Sequence, residues 1–460
     1  MMDEQIKQSV LTELKQILSD RVSIDETVLQ EHGTGFSYHQ SSPPDFVVFP
    51  HTTEEIASIV NICANHQIAI IPFGAGTSVE GHILAVQGGV CIDLKEMNKV
   101  LQLDLEDMCA SIQAGVTRNQ LDALLEGTGF FFPVGPGANA TIGGMAATRA
   151  SGTNAVRYGT MKDNVLSLTV VLPGGQIIKT ASKAKKSSSG YNLTQLFIGS
   201  EGTLGIISEL TIKLHPYPEL SQAAVCSFPS IESAIHTAMK TIQQGIAVAR
   251  IEFLDAITMR AINQYSHTDY REEPTLFLEF NGSAQLVKEQ VQRVEHLAQE
   301  FGAQGFVWEM DEASRKKLWR IRTDAAPAIA ALSPGAQMMS TDVCVPISQL
   351  AKCIVETQAE IEKTGLLAAI LGHVGDGNFH LGIPIHRDDK NTLEKAKGIN
   401  ERLVKRALAM DGTCSGEHGI GIGKLSYMSL EHGQALEVMR AIKHAIDPKN
   451  IMNPGKLLPE

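Results

Sequence analysis

An α+β protein of two principal domains, a glycine-rich binding domain followed by an antiparallel-sheet cap, is the fold class that three features of the sequence predict. A chain of 460 residues is too long for one ordinary hydrophobic core. From about Asp45 short β-branched runs alternate with helical segments, and glycine is dense between Gly74 and Gly205. After His215-Pro216-Tyr217-Pro218, which can neither continue a helix nor sit inside a sheet, the pattern changes to strands and longer helices of an antiparallel α+β type. The predicted domains are residues 1–217, the cap at 218–415, and a segment at 416–460 that returns to the first domain.

The elements follow in order. A helix begins near Thr52, where Thr52 and Glu55 suggest a capping box and Ile56, Ile59, Val60 and Cys63 repeat with helical spacing. Strands are predicted at 68–71, 90–93, 165–172 and 205–214, with glycines at their ends, where backbone turns sharply or approaches a ligand closely. In the second half strands are predicted at 224–228, 249–254, 275–280 and 306–309, with a helix over 286–301.

Composition narrows the function. Hydrophobic residues at 43% and charged residues at 20% describe an ordinary globular chain. A net charge of −12 without a basic run makes nucleic acid an unexpected partner. Seven scattered cysteines form no disulfide framework, zinc site or iron–sulfur motif, and suit a reducing compartment. The first twenty residues place Ile6, Val10, Leu14, Ile17 and Leu18 on one helical face among acidic residues, unlike a signal or transit peptide. With no stretch of roughly 20 apolar residues to span a bilayer, the expected location is cytoplasmic, with peripheral membrane contact left open.

The first glycine loop, Pro72-Phe73-Gly74-Ala75-Gly76-Thr77-Ser78-Val79-Glu80-Gly81, has amides able to cradle a pyrophosphate. It is not a Rossmann fingerprint, because Val79 stands where the third glycine is needed, and taken alone it reads as a structural turn. A P-loop also fails, since Leu425 follows Gly423-Lys424 where Ser or Thr is required. Two further clusters change the reading. One runs from Pro133 to Gly137 and on through Thr141-Ile142-Gly143-Gly144 to Ser151-Gly152-Thr153-Asn154; the other is Gly199-Ser200-Glu201-Gly202-Thr203-Leu204-Gly205. Together, in this order from about Pro44 to Pro218, they resemble the FAD-binding domain of vanillyl-alcohol oxidase type flavoproteins. That resemblance implies FAD contacts at Pro72, Gly74, Ala75, Gly76, Thr77, Ser78, Gly81, Pro136, Gly137, Thr141, Gly143, Gly144, Ser151, Gly152, Glu201, Gly202, Gly205, Ile206 and Asn453. The first loop has no histidine before His82, so the FAD is expected to be non-covalent.

Two segments of the second half carry candidate chemistry. In Gly372-His373-Val374-Gly375-Asp376-Gly377-Asn378-Phe379-His380, two histidines flank an Asp-Gly-Asn turn, and a tight strand–turn–strand excursion would bring both imidazoles to one side. Cys414-Ser415-Gly416-Glu417-His418-Gly419 adds a carboxylate and a histidine. His373, His380 and Glu417 suit Zn or Mn with positions open for substrate, although a lone histidine is more often structural and chemistry alone leaves the choice open.

Both segments resemble those of FAD-linked D-2-hydroxy acid dehydrogenases, a family of D-lactate and D-2-hydroxyglutarate dehydrogenases with the large subunit of glycolate oxidase among its relatives. The resemblance implies that His373, His380 and Glu417 hold a divalent metal and that His418 is the base. The cation would acidify the substrate hydroxyl, and His418 would take its proton as the Cα hydride passes to flavin N5. Arg322 occupies the family's arginine position, suited to a substrate carboxylate; its alternative is a solvated helix face shared with Arg315, Lys316 and Lys317. Asn192 is a second substrate candidate, with a structural turn as the simpler reading.

The stretch Ser340-Thr341-Asp342-Val343-Cys344-Val345-Pro346 resembles the cytochrome-linked D-lactate dehydrogenases, which ranks D-lactate first, D-2-hydroxyglutarate second and glycolate third. A metal-dependent hydrolase is the alternative of another class, but it has no use for three FAD segments. The electron acceptor is expected to be a quinone, a cytochrome, an electron-transfer flavoprotein or an iron–sulfur subunit, and a homo-oligomer is left open.

Overall fold

The computed structural model describes residues 3–308, 311–386 and 388–459. They divide into two compact units: residues 3–151, 159–216 and 417–459 form the first, and Gly152–Tyr158 with the described residues of Tyr217–Gly416 the second.

Among the described residues the first unit holds two large sheets and a two-stranded pair, His215–Pro216 antiparallel to Phe130–Phe131, so Pro216 lies in a short pair outside the larger sheets. One has the order Val22–Ser23, Phe46–Val48, Val90–Asp93, Ile70–Phe73, parallel except for its first pair. The other is antiparallel, in the order Val100–Asp104, Cys109–Gln113, Ile206–Lys213, Val165–Val171, Ile177–Lys179. Strands Phe46–Val48 and Val90–Asp93 are buried along their whole length, which is why their apolar residues run consecutively instead of alternating with polar ones. Helix Thr53–His66 buries Ile56, Ile59, Val60 and Cys63 in the same core. Its cap differs in detail from expectation. Thr52 accepts from Glu55 N, but the Glu55 carboxylate accepts from Arg21 Nη1 and Nη2 and from His51 N instead of closing a box on Thr52. A bidentate charged pair outcompetes a single neutral amide.

The C-terminal tail is stitched to the edge of the first sheet: Ile70 N donates to Ile451 O at 2.7 Å and Asn453 N to Ile70 O at 2.8 Å.

The second unit is built on one antiparallel sheet ordered Gln304–Val307, Leu220–Ser227, Thr275–Gly282, Val248–Leu254, Ala369–Gly372, Asn378–Ile385, Gln337–Ser340, with Val343–Cys344 also on Asn378–Ile385. Leu254, Phe277, Trp319, Ile321 and Ile329 lie in its core, so helix Glu312–Thr323 buries the face bearing Leu318, Trp319 and Arg322 while Lys316 and Lys317 stay exposed. No described helix is long and apolar enough to cross a membrane.

Candidate active site

In the first unit the three glycine segments converge. Strand Ile70–Phe73, with Pro72 in it, delivers Gly74 against Thr141; a Cβ on Gly74 would collide with the Thr141 hydroxyl. Thr141 caps helix Ile142–Thr148 by accepting Gly144 N, and Gly143 N donates to Ala114 O at 2.9 Å, so Gly143 and Gly144 form the first turn. Gly74, Ala75 and Thr141 line a cavity of about 350 Å³ together with His32, Phe73 and Asp93. Gly76, Thr77, Ser78 and Gly81 form the loop beyond it. Pro136 and Gly137 belong to a loop whose start is held by Arg118 on Phe132 O and Val134 O, both at 2.6 Å. Ser151 closes the first unit's segment and Gly152 opens the second's, while Gly205 leads into the buried strand residue Ile206.

Glu201 and Gly202 sit in a left-handed turn, and Glu201 is buried. Its carboxylate accepts Ile420 N at 2.7 Å and Gly421 N at 2.8 Å and faces His82 Nε2 at 3.3 Å. Burial pushes the Glu201 carboxyl up, but His82 and the two backbone donors outweigh it and hold it below the usual range. Asn453 donates to His82 O and Glu201 O, joining the first loop, the third segment and the tail. Lys456 donates to Leu84 O, and burial lowers it to about 8 against the opposing pull of Glu201. The residues fit FAD: among the described residues the buried hydroxyls of Ser78 and Ser200 have no hydrogen-bond partner, as expected of groups that face a polar ligand.

The second unit carries the histidine pair. Strands Ala369–Gly372 and Asn378–Ile385 are antiparallel neighbours, and the turn between them brings the rings of His373 and His380 to 5.5 Å, nearly perpendicular. Each has a buried carboxylate at Nδ1. His373 Nδ1 meets Glu252 Oε1 at 2.7 Å; His380 Nδ1 faces Thr341 O at 3.2 Å and Asp342 Oδ1 at 3.5 Å. With the proton on Nδ1, the lone pair of each ring is on Nε2, the tautomer a metal ligand needs. Asp342 also accepts Asn378 Nδ2 at 2.7 Å and Ser415 Oγ at 2.9 Å, and a Cβ on Gly416 would strike Asn378 and Asp342. Gly416 is therefore fixed beside Asp342, and Glu417 and His418, both half-buried, follow it directly in the chain.

Arg322 is buried, and its Nε and Nη2 donate to Glu252 Oε2 at 3.0 and 2.7 Å. Burial raises the Glu252 carboxyl, yet His373 and Arg322 more than offset this and hold it low. Asn192 is exposed and caps helix Leu193–Phe197 by accepting Gln195 N at 3.1 Å. Sequence reasoning missed Glu252, Asp342 and His82. The signal for Glu252 was a lone carboxylate within the apolar strand Val248–Leu254.

Residues 44–181 match the FAD binding domain family and residues 217–457 the family of FAD linked oxidases, C-terminal domain. The chain is 48% identical to the probable D-lactate dehydrogenase, mitochondrial, of Danio rerio over 98% of its length and 91% of the relative's. It is 45% identical to the D-lactate dehydrogenase [cytochrome], mitochondrial, of Arabidopsis thaliana over 99% and 81%. Among solved structures, p-cresol methylhydroxylase with substrate bound superposes with a TM-score of 0.83 at 17% identity over 99% of this chain and 97% of that one, and the fold is of the vanillyl-alcohol oxidase type. The expectation of a cytoplasmic location is overturned by these relatives, both of them named as mitochondrial enzymes; free cysteines do not distinguish one compartment from another.

Proposed function

This chain belongs to the FAD-linked oxidases as an FAD-dependent D-2-hydroxy acid dehydrogenase, and on that premise we propose that it oxidises D-lactate to pyruvate and passes the electrons to a cytochrome. The observation that carries the substrate is whole-chain similarity to two D-lactate dehydrogenases; the plant relative's name carries the acceptor.

Non-covalent FAD would supply a two-electron acceptor, and a divalent cation, Zn or Mn, would supply Lewis acidity toward the substrate hydroxyl. His373, His380 and Glu417 are the residues that would hold the cation, a reading supported by the Nδ1 partners of the two histidines. His418 takes the hydroxyl proton as the Cα hydrogen leaves with its electron pair. Arg322 receives the substrate carboxylate. Its Nε edge is committed to Glu252, so the Nη1–Nη2 end is the edge it offers. The FAD contacts are proposed at the glycine-segment residues from Pro72 to Ile206 named above and at Asn453. Asn192 is the weakest member of the substrate set, since its carbonyl is engaged in capping.

The test is an anaerobic visible spectrum before and after D-lactate, with L-lactate as control. Bleaching of the flavin band by the D-isomer alone is the expected result. A flavin left oxidised by D-lactate but bleached by D-2-hydroxyglutarate or glycolate would overturn the substrate. A His418→Ala protein that reduced its flavin at the normal rate would overturn the base.

A further inference from the structure

Strand Val248–Leu254 lies in the middle of the second unit's sheet, with Thr275–Gly282 on one side and Ala369–Gly372 on the other. Glu252 in that strand is 1% exposed, so its charge persists there only with full compensation. Its two oxygens divide the work: Oε1 meets His373 Nδ1 at 2.7 Å, and Oε2 accepts both Nε and Nη2 of Arg322.

We propose that Glu252 is a positioning residue that sets His373 and Arg322 against one another, so that one carboxylate fixes both the metal-ligand imidazole and the cation for the substrate carboxylate. The inference rests on the metal reading given above. Glu252 holds the His373 proton on Nδ1 and leaves Nε2 as the ligand atom. It also locks the Arg322 fork about its Nε edge, so the guanidinium cannot swing and the Nη1–Nη2 end is presented in one orientation.

A buried carboxylate on the neighbouring strand provides the control. Glu279 is likewise buried and faces Arg250 at 3.7 Å and Arg315 at 3.3 Å, but neither histidine. Mn²⁺ and Zn²⁺ are titrated in chelator-buffered solution onto the FAD-loaded, full-length enzyme, and retained metal is measured by elemental analysis. Glu252→Gln is expected to weaken retention roughly 10- to 100-fold, and Glu279→Gln to leave it unchanged. Wild-type retention in Glu252→Gln overturns the inference. If that variant does not fold, the metal-free wild type labelled with ¹⁵N-histidine decides: His373, assigned by its loss in His373→Ala, is expected as the Nδ1–H tautomer, and an Nε2–H tautomer overturns the inference. A wild type that retains neither ion overturns the metal reading and this inference together. Retention lost in His373→Ala yet intact in Glu252→Gln overturns the inference alone.

Discussion

Glu201 accepts the backbone N–H of Gly421 at 2.8 Å across 220 residues of sequence, and its second oxygen takes the N–H of Ile420 beside it. The segment that begins with Glu417 and His418 is thereby held at its far end by a residue of the third glycine cluster. Glu201→Gln turns one acceptor into a donor facing backbone N–H groups and removes the partner of His82. Loss of a buried, charge-assisted set of this kind costs ~2–4 kcal/mol. Thermal unfolding of the holoenzyme is expected to show it, together with slower flavin bleaching by D-lactate; a wild-type melt would refute the linkage.

Gly74 leaves no room for a side chain beside Thr141. A methyl group there must push the Thr141 hydroxyl off Gly144 N and disturb the first turn of helix Ile142–Thr148, at a cost near that of a lost N-cap, ~1 kcal/mol. Gly74→Ala is expected to purify with less FAD, read from the ratio of flavin to protein absorbance. The double variant Gly74→Ala, Thr141→Ser should not recover it, since the colliding hydroxyl remains.

Removal of the divalent cation by a chelator is expected to leave the flavin band in place while D-lactate no longer bleaches it, with Mn²⁺ or Zn²⁺ restoring the reaction. Full activity in protein shown by elemental analysis to be metal-free would remove the cation from the mechanism.

Asp255 gives a pH dependence of defined sign. It is buried, and despite accepting Thr258 N, Thr258 Oγ1 and Ile370 N its carboxyl is raised by burial to about 6. Below the unfolded value of about 4 both states are protonated, so the favourable contribution is fully present there. As pH rises toward 6 the unfolded chain ionises first and stability falls by ~3 kcal/mol, after which it is constant. Asp255→Asn cannot titrate. The difference in unfolding free energy between wild type and variant is expected to shrink by that amount between about pH 4 and about pH 6, measured by urea unfolding. A difference independent of pH would contradict the burial argument.

Much of the scaffold was legible. Strand Val90–Asp93 falls at the predicted residues, and Val165–Val171 and Ile206–Lys213 within one residue of the predicted ends, because buried strands need β-branched residues that few other elements favour. The strand–turn–strand excursion around His373 and His380 was readable from two glycines and an Asp-Gly-Asn turn. The direction of Arg322 was less so. The family position pointed to a substrate carboxylate while its basic neighbours left a solvated face as the alternative; Leu318 and Trp319 stand four and three residues earlier, and helical spacing buries Arg322 with them. Glu55 shows the opposite failure: local spacing suggested a partner at Thr52, and Arg21, distant in sequence, took the carboxylate instead.

The sequence by itself determined the residue types that the chemistry requires and the local turns that expose them: three glycine segments, a pair of histidines around a tight turn, and a Glu-His pair after Gly416. Those are short-range properties, set by backbone sterics and side-chain identity over a few residues. Only the tertiary structure decided that Glu252 stands behind His373, 121 residues away, and that the same carboxylate also holds Arg322. The contact exists because strand Val248–Leu254 pairs with Ala369–Gly372, bringing Phe253 opposite Gly372. Hydrogen bonds act over about 3 Å, and a register between strands so far apart in sequence leaves no local mark on either.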